Sequence, residues 1–161
     1  VDAAVGITLT VNGERITRRV EPRQHLADFL RVELEITGTH VGCEHGVCGA
    51  CTIRVDGQIV RGCLMFAVQA DGARVDTIEG LTDSGEVADL QQAFVDRNAL
   101  QCGYCTPGML ITAAELLKRN PQATRAQIRD FLSGNYCRCT GYHAIVDAVE
   151  TVARARVGKG T

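Results

Sequence analysis

Apolar and polar residues alternate over Ile7-Thr8-Leu9-Thr10-Val11, the period of a strand with one buried face, and the run ends at the hairpin signal Asn12-Gly13. A second strand over about Arg15 to Val20 would pair with it, and Pro22 stops it. Between His25 and Leu34 the apolar positions Leu26, Phe29, Leu30 and Leu34 recur at helical spacing. Thr52-Ile53-Arg54-Val55, then Asp56-Gly57, then Gln58-Ile59-Val60 read as another hairpin, and Ala73 to Ile78 as one more short strand.

Beyond residue 87 the period changes from two to near four. Asp89 to Leu100 places Leu90, Ala93 and Phe94 on one helical face. Thr106-Pro107 reads as a helix start, a hydroxyl cap before proline, and that helix should run to Arg119, where Lys118 and Arg119 suit the negative end of the dipole and Asn120-Pro121 ends it. Thr124-Arg125-Ala126-Gln127 fits a capping box opening a third helix through Leu132, closed by Ser133-Gly134-Asn135. A fourth starts near Gly141-Tyr142 and carries Ile145, Val146, Val149 and Val152. The stretch Glu79 to Val87, rich in small, polar and acidic residues, reads as a linker. The expectation is an α+β chain in two domains: residues 1–78, a small sheet crossed by one helix in a β-grasp-like arrangement; a linker over 79–87; and residues 88–161, an all-α four-helix unit.

Composition narrows the function. The 161 residues are 45% hydrophobic and 22% charged, so the chain is globular, but aromatics are only 4% and Trp is absent, so two small cores would each be marginal without something further, such as bound metal. Net charge is −2 with both signs mixed along the chain, so there is no basic stripe for nucleic acid. No apolar run approaches the ~18 residues of a membrane span. Val1-Asp2-Ala3-Ala4 lacks a basic region followed by an apolar core, and Arg18-Arg19 leads into Val20-Glu21-Pro22, so no export signal is expected and a cytoplasmic location follows. Eight cysteines in such a chain point to metal or redox chemistry rather than disulfides, because a reducing compartment does not favour the latter.

The cysteines fall into two sets of four. Cys43-x4-Cys48-x2-Cys51 with Cys63 has the plant-type ferredoxin spacing of a [2Fe–2S] cluster. A tight loop would supply three thiolates and a strand end the fourth, while Gly42, Gly46 and Gly49 let the backbone pass close and aim N–H groups at sulfur. A structural zinc site is the alternative, although zinc usually takes two similar knuckles. A Rieske reading of His45 would need two His and two Cys where four Cys are at hand, so His45 is expected to face solvent. The second set is Cys102-Gly103-Tyr104-Cys105 with Cys137-Arg138-Cys139. A lone CxxC is weak evidence, compatible with a redox disulfide or half a zinc site. The Cys-x-Cys pair requires a turn or helix start to bring its thiols together, and helix N-termini beside three of these cysteines would favour thiolate.

Cys43-Glu44-x-Gly46-x-Cys48-Gly49-x-Cys51, Gln101-Cys102-Gly103-x-Cys105-Thr106-Pro107-Gly108 and Cys137-Arg138-Cys139-Thr140-Gly141-Tyr142 together resemble the iron–sulfur subunit of the xanthine oxidase family of molybdenum hydroxylases. The resemblance runs from about Ile7 to Ala153 and touches all eight cysteines. It implies a plant-ferredoxin-like domain before a four-helix domain and two [2Fe–2S] clusters. Cys102, Cys105, Cys137 and Cys139 would hold the cluster nearer molybdenum, and Cys43, Cys48, Cys51 and Cys63 the cluster facing FAD. It also implies that Gln101 and Cys139 hydrogen-bond the molybdopterin, in bacterial members commonly the cytosine dinucleotide form, with a local backbone carbonyl as the plainer partner for Gln101. The partners implied are a large molybdopterin-binding subunit and a medium FAD-binding subunit, in a dimer of heterotrimers. The chain would be a non-catalytic electron-transfer subunit of an oxidoreductase whose substrate the sequence does not name.

Other residues have plainer readings. Tyr104, Tyr136 and Tyr142 would pack around the second site and exclude water, or line a partner interface. Arg138 would offset local negative charge or meet a partner's acid, and His25, His40 and His143 carry no motif. The rival functions are a free-standing ferredoxin, which a net charge of −2 serves poorly, and a zinc-binding interaction module, which would be colourless. A complex without flavin, passing electrons to another carrier, is not distinguished by this chain.

Overall fold

The computed structural model describes residues 3–158. The first half is a five-stranded sheet: β1 (Val5–Val11), β2 (Glu14–Val20), β3 (Thr52–Val55), β4 (Gln58–Arg61) and β5 (Arg74–Asp76), in the order β2-β1-β5-β3-β4. The β1/β5 pair is parallel and the remaining pairs are antiparallel. Both hairpin turns form as the dipeptides foretold. Asn12-Gly13 and Asp56-Gly57 each take two successive positive φ angles, 50° and 87°, then 47° and 80°, which matches the right-handed strand twist. One short helical segment lies against the sheet. It begins as α1 (Leu26–Asp28), capped by His25 Nδ1 accepting from the Asp28 amide at 3.0 Å, and widens into a π-helix over Phe29–Glu33. Leu26, Phe29 and Leu30 are fully buried against Ile7, Leu9, Val11, Ile53 and Val75.

The second half is helical: α2 (Ile78–Asp83), α3 (Ala88–Asp96), α4 (Thr106–Arg119), α5 (Arg125–Phe131) and α6 (His143–Gly158). Helix α4 is the central one, with Met109, Leu110, Ile111, Ala113, Leu116 and Leu117 buried among the faces of its neighbours. The capping box at Thr124 is present, Thr124 accepting from the Gln127 amide while the Gln127 side chain takes the Thr124 amide.

Four expectations are corrected. The last strand stops at Asp76, and Ile78 opens a helix instead of closing the strand. The 79–87 stretch, expected as a linker, contains most of α2, and Ile78, Leu81 and Val87 are buried in the helical core. Its polar letters are the solvent side of a short helix whose two apolar residues lie three apart. The helical half therefore has five helices among the described residues rather than four. Finally, Thr106 is the first helical residue of α4, not its cap. Cys105 holds the cap position without a side-chain cap bond.

The halves meet along a seam beneath both cysteine sets. Arg54, buried in β3, forms a two-bond ion pair with Glu86 at 3.0 and 2.6 Å, tying the sheet to the segment before α3. Asn135, also buried, donates to Gly49 O (3.1 Å) and Thr52 Oγ1 (3.4 Å) and accepts from Thr112 Oγ1 (3.0 Å). Arg61 bonds Thr52 Oγ1 and Gly134 O. No helix of the described residues is long and apolar enough to cross a membrane.

Candidate functional site

The first cysteine set is gathered by the irregular loop between the π-helix and β3, together with a 3-10 turn after β4. Cys51 and Cys63 are buried with Ala27 between the sheet and α1. Cys43 and Cys48 are half-buried at the loop surface. The loop turns through positive φ at Glu44, Gly46 and Gly49. Those turns bring the Cys48 and His45 amides to 3.4 Å from Cys43 Sγ. These two donors, Cys48 first, draw the Cys43 thiol down to about 6. Burial pushes Cys51 the other way, up to about 11, with the facing Cys63 thiol adding to it and its amide opposing it. Cys43 thus meets Cys48, and Cys51 meets Cys63, with Cys48 near enough to Cys51 to act on its charge. His45 is exposed, as the sequence reading expected, and its ring is bonded to Cys43 O, which that reading did not foresee.

The second set gathers at the N-terminal end of α4 and the turn before α6. Cys102 and Cys139 are exposed, their sulfurs 3.5 Å apart. Cys105 and Cys137 lie deeper. Cys105 is pushed up to about 12, first by burial and then by the adjoining Cys137 thiol. Burial also works on Cys137, but hydrogen bonds from the Thr140 hydroxyl (3.1 Å) and amide (3.4 Å) outweigh it and leave that thiol below its ordinary value. Of these cysteines only Cys105 adjoins a helix start. Helix α6 begins at His143, beyond the turn that holds Cys137 and Cys139, so the expected help from several helix termini is corrected to hydroxyl and amide donors.

Two pairs per set is the informative feature. Two facing pairs of thiols suit a diiron cluster, in which each iron takes two. The sets are joined by short polar links. The Tyr136 amide, next to Cys137, donates to Cys48 O at 2.8 Å. Tyr104 OH donates to Val41 O at 2.6 Å, His40 Nδ1 donates to Tyr104 O at 2.8 Å, and the two rings stack at 4.6 Å.

Two separate domain models match the chain, a 2Fe-2S iron–sulfur cluster binding domain over residues 9–81 and a [2Fe-2S] binding domain over residues 77–150. The chain is 53% identical over 150 residues to the gamma subunit of caffeine dehydrogenase from Pseudomonas sp. (strain CBB1), covering 91% of this chain and 90% of that one. It is 53% identical over 145 residues to the small subunit of nicotine 6-hydroxylase from Paenarthrobacter nicotinovorans, covering 90% and 87%. The chain belongs to the small iron–sulfur subunits of the molybdenum hydroxylases. The fold agrees: a chain in the crystal structure of quinoline 2-oxidoreductase from Pseudomonas putida 86 superposes with a TM-score of 0.91 at 47% identity, covering 99% of this chain and 98% of that one.

Within this family frame, Gln101 and Cys139 are in contact, Gln101 Nε2 donating to Cys139 O at 3.1 Å, so the local partner considered for the amide is engaged. Tyr104, Tyr136 and Tyr142 are 49%, 54% and 39% exposed, so their rings are not packed away, although Tyr142 OH accepts from the Cys137 amide at 2.9 Å. Residues that sequence reasoning left unassigned are Asn135, Arg61, His40 and Thr140. Of these, Thr140 had a visible signal, a hydroxyl directly after the Cys-x-Cys pair.

Proposed function

We propose that this chain carries electrons between the molybdenum centre of a large subunit and the FAD of a medium subunit, or another acceptor. Cys43 and Cys48 would hold one iron of the first cluster and Cys51 and Cys63 the other, while Cys102 with Cys139 and Cys105 with Cys137 would do the same for the second. The observation that carries this is the gathering of eight cysteines into two sets of two facing pairs, with Tyr136 N bonded to Cys48 O between them. Bound there, the two [2Fe–2S] clusters supply one-electron transfer.

The chain's residues do the rest. Buried Cys51 and Cys63, with Ala27, keep one side of the first site dry, and the Cys48 and His45 amides hold charge on Cys43. The sheet half fits a β-grasp ferredoxin-like domain, and the helical half, with its five helices, an all-α cluster domain. Exposed Cys102 and Cys139, with Gln101 beside them, form the end that would face the molybdopterin, cytosine dinucleotide by family habit. Exposed Tyr104, Tyr136 and Tyr142, each next to a cysteine of the second set or its turn in the sequence, suit a partner interface, in a dimer of heterotrimers. Eight free thiols fit a reducing cytoplasmic location.

The test is iron and acid-labile sulfide content, with electron paramagnetic resonance on the reduced complex. About four iron and four sulfide per chain with two distinct signals are expected, and Cys102→Ser should remove one signal and turnover while the other persists. A single ferredoxin-like signal at half that content would sink the assignment of the second set.

A further inference from the structure

We propose that the hydroxyl of Thr140 decides which iron of the second cluster takes the electron, namely the one held by Cys105 and Cys137. The inference rests on the reading of Cys102, Cys105, Cys137 and Cys139 as ligands, and it concerns the asymmetry between their two pairs. Thr140 Oγ1 lies 3.1 Å from Cys137 Sγ, and the Thr140 amide lies 3.4 Å from the same sulfur. The hydroxyl is already turned. The Tyr142 amide donates to Thr140 Oγ1 at 3.2 Å, which occupies a lone pair and leaves the one proton for sulfur. Tyr142 OH in turn accepts from the Cys137 amide at 2.9 Å, so the turn is closed on itself. Cys102 and Cys139 face each other at 3.5 Å on the exposed side.

Reduction adds one negative charge, shared between iron and its thiolates. A hydrogen bond strengthens as its acceptor gains charge, so the Thr140 hydroxyl and amide aimed at Cys137 Sγ stabilise the reduced form of the iron that this sulfur holds more than its oxidised form. The electron comes from the reduced molybdenum centre of the partner and leaves for the first cluster. One electron enters and one departs, no bond is made or broken, and the hydroxyl proton stays on oxygen. The placement has a direction. Cys137 follows Tyr136, whose amide is bonded to Cys48 O, so the favoured iron is the one on the side of the first set.

The test uses the assembled complex with Thr140→Val and Thr140→Ser, after iron content has been measured. With full iron, valine should shift the second cluster's oxidised-to-reduced ratio at fixed ambient potential by about tenfold toward oxidised, about 59 mV for a one-electron couple. Serine should restore it, and the first cluster should not move. An unchanged second-cluster potential in Thr140→Val with full iron overturns the inference, and so does an equal shift of both clusters. The unaltered complex gives an independent reading if the valine protein fails to assemble. In a reduced diiron pair the ferrous spin opposes the total spin, so the sign of the hyperfine coupling to the exchangeable hydroxyl proton reports which iron it sits beside. The ferrous sign supports the inference and the ferric sign overturns it. Iron well below about four per chain in the unaltered complex would instead overturn the cluster assignment itself.

Discussion

Replacing Gly108 by alanine sets two effects of known size against each other. In an ordinary helix the change gains up to about 1 kcal/mol of propensity. Gly108, however, lies in the first turn of α4, where that helix touches the cysteine loop. A Cβ there would lie 2.4 Å from Gly49 O and 3.1 Å from Ala50 O, so helix and loop must part by about 1 Å to reach ordinary contact. Gly49 O cannot easily withdraw, because it accepts from the Thr52 amide (3.2 Å), Thr52 Oγ1 (2.7 Å) and Asn135 Nδ2 (3.1 Å). Overpacking of this kind costs about 1–3 kcal/mol, and stretching those bonds adds about 1 more. The clash outweighs the propensity, leaving a net loss of about 2 kcal/mol. For a chain of this length that lowers the apparent Tm by about 4–8 °C. The assay is loss of visible absorbance on heating the cluster-loaded complex at a fixed scan rate. An unchanged or raised Tm would show that the loop yields freely, and would refute the account of the seam as close-packed.

Asn135→Ala should cost about 2 kcal/mol, since it removes three buried hydrogen bonds at about 1 kcal/mol each while Gly49 O keeps other donors; urea unfolding of the reconstituted chain measures it. Thr124→Ala should cost about 1 kcal/mol by opening the capping box of α5, read in the same assay. Hydrogen bonds from Arg54 hold Glu86 below the usual carboxylate range, and those from Arg156 do the same for Asp89, so both acids stabilise the fold above their unfolded values and lose that contribution as pH falls. Glu86→Gln should therefore be about 1 kcal/mol less stable at pH 7, discounted for a carboxylate 42% exposed, and the gap should close as pH drops below about 4.5. A gap that stayed the same size across the whole acid range would contradict the pairing.

The elements that were legible in the sequence are those specified locally. The two hairpins needed only Asn12-Gly13 and Asp56-Gly57, and α4 was bounded correctly at Arg119 by Asn120-Pro121 and to within one residue at its start, where Thr106 is the first helical residue rather than the cap. What failed was specified by packing. Ile78 continued a strand pattern in sequence, but in space it turns into the helical core with Leu81, and a six-residue helix offers too few apolar positions to show a period. The π-widening over Phe29–Glu33 had no sequence mark either. At the site, eight cysteines were visible as two sets because their spacing is local, whereas their division into pairs depends on turns that bring Cys139 back to Cys102 and Cys137 to Cys105.

The same division explains how so small a chain positions two cysteine sets. The first core is built on Phe29, Leu26 and the sheet, the second on α4, and the two remain separate clusters. Apolar burial therefore stabilises each half, and across the seam it adds Ile59 of β4 packed against the helical core. Directional contacts fix the orientation further: the Arg54–Glu86 pair, the Asn135 bonds, Arg61 to Gly134 O, and the approach of Gly108 to Gly49. Hydrogen bonds and backbone contacts tolerate little sliding, while apolar faces repack readily. A polar, glycine-tight seam is thus the arrangement that holds Cys48 and Cys137 one hydrogen bond apart, and the spacing of the two sets depends on it rather than on the size of either core.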